Sequence, residues 1–476
     1  MKINMFFLAI MLAYMAVLIT YGILSAKRKG VKDSSDYALG GGGLTLDLAL
    51  GTFIATFISG ATVIGGAGYS SKFGWGWITY VALGVGIGIA VMQFAAGRLR
   101  SVKGSTLPQM LESMYGSRWL RILTAIIVVF TVSVTLIVQL LSSGWILEEV
   151  VGVPKAAGII VVTLAFLAYT TYGGLTSVAR TDRLQLFVIV IGLALSVIAI
   201  LRVVPSSIFL SPPHDSAFTG LTTTWPKFLA GTLVYALGVP VQAAYIQRIS
   251  ACKDLRTARR MMSWGAIVVQ LIYVMVMLIG IAAGALGGTG LGDRAYPYLA
   301  MNHLGPAVGV IVTVTILAGI VTTVDSLLNV IGVYAGLDIY AMLLKRNPDE
   351  KEKLRLSRMW TLILGLVTGG ITLWMTMRPL PLVITLASFS WGVMACSAFV
   401  PFYLGLYLKQ RSREAAFLSM LSGFVVAIVG RMLLSRGLLK VNEVLIGVPV
   451  SLVVYVVVHA LKRGSSVGGS TSQVKA

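Results

Sequence analysis

Three oxygen-bearing residues, Thr322, Asp325 and Ser326, fall at i, i+3 and i+4 in an otherwise apolar segment and so share one helical face. Hydroxyls and a carboxylate are the hard oxygen ligands an alkali cation takes. A carboxylate deep in a lipid-spanning helix costs about 2.5–3.5 kcal/mol on insertion scales. Asp325 therefore needs a partner, either as part of a functional site or in a hydrogen bond to a neighbouring helix. Two other segments offer main-chain oxygens. Residues 57–66 (FISGATVIGG) and 235–242 (YALGVPVQ) interrupt long apolar runs with Gly, Ser or Pro. Unwinding the first frees the carbonyls of Ala55 and Ile58 for a cation and lets Ser59 and Thr62 bond the released backbone groups. The half-helix N-terminus that follows faces an anionic group. Gly60, Gly65 and Gly66 equally suit a face where helices approach closely; the matching second break at Gly238-Val239-Pro240 favours the functional reading. Asp182, beside Arg180 and Arg183 at the start of an apolar run, reads from spacing alone as a carboxylate at a helix N-terminus.

Groups of this kind act only if spans hold them at depth. The chain has 476 residues, 57% hydrophobic and 12% charged, with a mean hydropathy of +0.89. A soluble domain carries about twice that share of charge. Apolar runs of about 20 residues recur throughout, which indicates a polytopic helical membrane protein. A barrel would show alternating segments of about 10 residues instead. About thirteen spans are expected, near residues 4–26, 44–69, 75–96, 120–148, 154–172, 184–204, 228–249, 263–286, 306–344, 360–377, 382–408, 415–434 and 444–461. The ninth is too long for a perpendicular crossing of a roughly 30 Å core and should tilt or project into the cytosol.

The formal charge of +21 is distributed in a way that excludes nucleic acid as a partner. Lys and Arg gather in alternate short loops, among them Lys27–Lys29, Arg248–Arg260, Lys345–Arg358 and Lys409–Arg413. That alternation puts the N-terminus outside and the C-terminus in the cytosol. The first apolar run reads as a retained helix, because it has no basic n-region or convincing cleavage site. Cys252, expected in a basic cytosolic loop, and Cys396 offer neither a disulfide framework nor metal spacing. His214, His303 and His459 are scattered. No Walker A sequence is present, which excludes ATP hydrolysis, and the Gly40–Gly43 run is a linker. No enzyme activity and no cofactor is expected. The Ser/Gly-rich segment 464–476 reads as a disordered cytosolic tail.

Taken in order, several motifs resemble those of the sodium:solute symporter family, which includes proline, pantothenate, monocarboxylate and sodium/sugar symporters. They are Asp36-Tyr37-Ala38-Leu39-Gly40-Gly41, the first break, Tyr172-Gly173-Gly174 with Thr181-Asp182, Tyr245-Ile246-Gln247-Arg248, the Thr322-Thr323 span, Asp338-Ile339-Tyr340, and Phe402–Tyr407. The resemblance implies an all-α, leucine-transporter-like core of five plus five inverted helices. It gives an N-terminal helix and linker (1–43), a core (44–408), two C-terminal helices (409–463) and the tail (464–476). It implies a principal sodium site at Ala55, Ile58, Gly319, Thr322 and Thr323. A second cation site would use Asp182, Asp325 and Ser326 with Thr322, where Asp325 replaces a more usual Ser. Substrate would meet Ser59, Thr62, Tyr235, Gly238 and Gln242. Sugar symporters tend to carry Glu-Gln at the first break, where this chain has Ala61-Thr62. The pocket is therefore expected to be less polar and nearest the pantothenate and monocarboxylate branches. The implied function is sodium-driven import of a small organic solute, a carboxylate, across the bacterial inner membrane; the alternatives are proton coupling through Asp182 or Asp325 and a non-transporting membrane sensor, which the short C-terminal tail disfavours.

Overall fold

The computed structural model describes residues 4–28, 42–76, 78–170, 175–210, 225–344, 348–378 and 382–468. The motifs at 36–41 and 172–174 and most of the expected tail lie outside them. Among the described residues the architecture is all-helical, with one isolated bridge between Leu44 and Cys252. Ten helices are long and apolar enough to cross a membrane, two further spans are bent pairs, and one apolar helix is shorter. Each of the thirteen segments expected from the sequence has a counterpart.

The helices are numbered by span. The first is α1 (Met5–Arg28). Next come α2a (Leu46–Phe57) and α2b (Ala61–Phe73), which meet at 50°. The first half of the core continues with α3 (Tyr80–Ser101), α4 (Arg118–Val151), α5 (Lys155–Thr170) and α6 (Leu175–Val203). The second half opens on α7a (Lys227–Val241) and α7b (Ala243–Ala251), bent by 43°. It runs on through α8 (Leu255–Gly288), α9 (Pro306–Ala341), α10 (Glu350–Met375) and α11 (Val383–Tyr407). Outside the core lie α12 (Arg413–Ser435) and α13 (Val444–Gly468). The last helix thus extends five residues into the segment 464–476.

Local chemistry sets these boundaries. Helices that start beside the basic loops bring their own caps: Asp254 accepts from Thr257 N–H (2.6 Å), Asp349 from Glu352 N–H (2.7 Å) and Ser412 from Ala415 N–H (3.2 Å). Each satisfies one orphan amide of a first turn. α9 begins with Pro306 at a position whose missing N–H costs nothing, after Gly305 at φ +82°.

α9 is the central element and is buried along most of its length, packed on α4, α6 and α10. Its far end is held by Asp338, which accepts from Thr106 Oγ1 (2.9 Å), Gln109 Nε2 (3.3 Å) and Arg121 Nε (2.8 Å). Apolar side chains on the outer helices, such as Phe187, Ile191 and Leu366, point outward and are exposed, as a lipid-facing surface requires.

Two expectations need correction. Arg248 and Cys252 are both 0% exposed, not members of a solvated loop. The helical ladder runs to Ala251, which carries Arg248 back onto the inner face one turn after Ala244.

Candidate functional site

The site forms where α2 breaks. α2a stops at Phe57, and Ile58 leaves helical space at φ −98°, ψ 93°. The loosened backbone is met locally. Thr62 Oγ1 donates to the Phe57 carbonyl (2.8 Å), and Thr62 N–H donates to Ser59 Oγ (3.3 Å). Gly60 N–H donates to Oε1 of Gln139 on α4 (2.8 Å). Glycine propensity is not what opens the helix here: Gly60, Gly65 and Gly66 all have helical backbone angles. Two of them provide space instead. A Cβ on Gly60 would lie 2.6 Å from Ser142 Cβ, and one on Gly65 would lie 2.9 Å from Val383 Cγ2.

α9 passes the break. Thr322 Oγ1 donates to the carbonyls of Gly319 (3.1 Å) and Ala55 (3.3 Å), and Thr323 Oγ1 donates to Gly319 (3.2 Å). A Cβ added to Gly319 would fall 3.4 Å from the Ile58 carbonyl oxygen. Five oxygens from two helices thus converge in a buried place. None carries a formal charge. A hydroxyl proton rotates to suit its partner, so the Thr322 and Thr323 hydroxyls can turn lone pairs outward beside the three carbonyls, a donor set that suits one small cation.

One turn along α9, the character changes. Arg248 Nη2 donates to Ser326 Oγ (2.6 Å), and Nη1 donates to the Ala244 carbonyl (3.1 Å) and Gln247 Oε1 (3.3 Å). Asp182 is 0% exposed. Its Oδ2 accepts from Thr52 Oγ1 (2.5 Å), while its Oδ1 has no hydrogen-bond partner among the described residues. Arg248 and Asp325 are the charged groups that act on Asp182. Asp182 therefore sits inside α6, not at its N-terminus, and Arg183 pairs with Asp47 (2.7 Å). The hydroxyl of Ser326, assigned above to a second cation, is engaged by a guanidinium.

A cavity of about 60 Å³ lies beside the break, lined by Ser59, Thr62, Tyr235, Gln242 and Thr323 among others. Gly238 is not among its lining residues: a Cβ there would lie 2.7 Å from the Trp391 carbonyl, so its role is close packing against α11. The walls are aromatic. Phe57 stacks on Tyr245 at 4.1 Å between centroids, and Trp391 lies 5.2 Å from Tyr235. Among the described residues no charged side chain lines the cavity, and Gln242 Nε2 is buried without a partner. Of the amides at the start of α2b, those of Gly60 and Thr62 are engaged by Gln139 and Ser59.

Sequence reasoning missed Gln139, Arg248 as a buried group, and the aromatic wall. Gln139 left one signal, that a polar side chain inside an apolar span needs an internal partner, but not which partner.

The chain as a whole is similar to known proteins. The model of the sodium:solute symporter family matches residues 37–423. The chain is 25% identical over 450 residues to the sodium/pantothenate symporter of Escherichia coli (strain K12), covering 87% of this chain and 88% of that protein. It is 26% identical over 463 residues to the osmoregulated proline transporter OpuE of Bacillus subtilis (strain 168), covering 91% of each. Among solved structures, a substrate-bound outward-open Na+-coupled sialic acid symporter aligns with a TM-score of 0.81 at 19% identity, over 96% of this chain and 98% of that one. That likeness carries the fold alone.

Proposed function

The chain belongs to the sodium:solute symporter family, a family of membrane transporters and not of enzymes, and from that premise we propose that it imports a small organic carboxylate by sodium-coupled alternating access. The observation that carries the reading is the convergence of Ala55, Ile58, Gly319, Thr322 and Thr323. We infer that one sodium ion binds there and ties the broken helix to α9 while the outside is open. Inward opening separates the two helices and weakens the site. A ligand shifts such an equilibrium only by its differential affinity for the two states, so sodium must prefer the outward-open one.

The substrate occupies the adjacent cavity, where Ser59, Thr62, Tyr235 and Gln242 meet it. Its carboxylate is received by neutral donors, chiefly Gln242 Nε2, since the amides of Gly60 and Thr62 are engaged. Aromatic rings hold its apolar part. A sugar would leave several hydroxyls unpaired at about 1–3 kcal/mol each.

The Asp182–Arg248–Asp325 cluster supports a second element. Arg248 supplies the positive charge that a second cation at Asp182, Asp325 and Ser326 would bring, and two carboxylates against one guanidinium leave one negative charge. We infer that a proton or a transient sodium balances it, with a single tightly held sodium at the first site.

The test is uptake into proteoliposomes with pantothenate, pyruvate, lactate, proline, sialic acid and glucose, each with sodium or choline outside. One carboxylate should be taken up only with sodium. Uptake unaffected by choline replacement points to the proton-coupled alternative, and robust glucose uptake contradicts the pocket reading. Sidedness, with the N-terminus outside and the C-terminus in the cytosol, is tested at exposed positions: Lys440→Cys should label from outside and Lys351→Cys only from the cytosol.

A further inference from the structure

We propose that a basic cavity at the junction of α11, α12 and α13 binds the phosphate head group of an anionic phospholipid. The cavity measures about 310 Å³ and is lined by Arg411, Arg413, Lys462 and His459, with Glu414 the one acid among its lining residues. It is built rather than incidental. Arg411 is fixed by donating from Nε to the Gly405 carbonyl (2.8 Å) and from Nη1 to the Met114 carbonyl (3.3 Å). Glu414 is matched within its own turn, by Arg413 Nε (3.0 Å) and Ser412 Oγ (3.3 Å). Three cations against one carboxylate leave a positive surplus, and the N-terminus of α12 adds its partial charge.

A second observation points to a ligand. Both imidazole nitrogens of His459 are buried and have no partner among the described residues. The ring is held in place, stacked on Tyr455 with centroids 5.9 Å apart. A phosphate oxygen in the cavity would accept from His459 and from the arginines together, as charge-assisted bonds.

The surroundings favour a lipid over a soluble anion. Exposed apolar side chains lie on the same helices away from the cavity end: Leu418 on α12, and Val453, Val456 and Val457 on α13. Acyl chains would lie along them while the head group entered the cavity. The loops at 409–413 and 462–463 belong to the basic set, and basic pockets between spans on the cytosolic side suit anionic head groups.

Native mass spectrometry of the full-length protein tests this, with phosphatidylglycerol and phosphatidylcholine of equal chain length. Wild type should retain phosphatidylglycerol preferentially. Arg413→Gln with Lys462→Gln should lower that retention about thirty-fold, at about 1 kcal/mol per removed cation. His459→Phe, which keeps the stack on Tyr455, should lower it independently, so the proposal stays testable if the double variant folds poorly. Lys440→Gln, at the opposite ends of α12 and α13, should change nothing. Equal retention of both lipids by wild type overturns the proposal, as does retention unaffected by either cavity variant. Displacement of phosphatidylglycerol by inorganic phosphate at equal concentration also overturns it, by reassigning the cavity to a soluble anion.

Discussion

The two broken helices meet the same central helix one turn apart and bring it different chemistry. α2 opens over Ile58 and Ser59 and turns main-chain carbonyls toward Gly319, Thr322 and Thr323. α7 opens at Gln242, after the Val239–Val241 turn, and its second half turns a guanidinium onto Ser326. The first contact consists of neutral oxygens. The second contains a guanidinium covalently attached to the chain. On the proposed reading, one face of α9 carries a sodium site that exchanges with solution beside a fixed cation that does not, and the residues at the breaks decide which is which.

Removing the fixed cation separates the two most sharply. Arg248→Gln leaves Asp182 buried without the guanidinium, and losing one partner of a buried charge set costs about 3–5 kcal/mol. Expression and thermal stability should fall steeply, and Arg248→Gln with Asp182→Asn should recover part of the loss. A stable, transporting Arg248→Gln protein would show that the α7 contact is dispensable.

A second substitution acts on the α2 side alone. Asp293, in the α8–α9 loop, accepts from Val383 N–H at the start of α11 (3.0 Å), beside the place where Gly65 of α2b packs. Burial pushes its carboxyl up to about 6 from 3.8. A carboxyl with a raised folded pKa binds more protons folded than unfolded, so stability is fullest below about pH 4 and declines as pH rises to about 6. Asp293→Asn should remove that slope and gain on the order of 2 kcal/mol above pH 6, with no gain at pH 4. Identical thermal midpoints for the two proteins from pH 4 to 7.5 would contradict this.

The smallest effect on stability is expected at Gln139. Gln139→Leu leaves the Gly60 amide without its acceptor, at about 1 kcal/mol, because the Ser142 hydroxyl lies close by. Sodium affinity should weaken modestly with it, since this amide fixes the start of α2b. Unchanged sodium dependence would mean that the break holds its shape without α4.

The sequence made the spans legible because lipid imposes length and apolarity on each, and because Lys and Arg mark alternate loops. It also located the first break and the two threonines that face it. The reason assigned to the break was incomplete. Gly60 and Gly65 are helical and make room for Ser142 and Val383, a requirement set by neighbours distant in sequence. Arg248 was misplaced for a related reason. Local charge density groups it with Lys253, Arg256 and Arg259, and only the direction of α7b reveals that it points inward. Gln139 sits in an unbroken apolar run, where nothing local distinguishes a packing amide from one that holds a broken helix.

Sodium dependence of uptake in Thr322→Ala and Thr323→Ala proteoliposomes tests the central claim most directly. Each change removes one hydroxyl ligand and leaves a better helix former in its place, so protein yield should stay near wild type. The account predicts that half-saturation by sodium rises several-fold in each variant and further in the double variant, with substrate still transported at high sodium. Wild-type sodium dependence in the double variant would contradict it and place the coupling ion elsewhere.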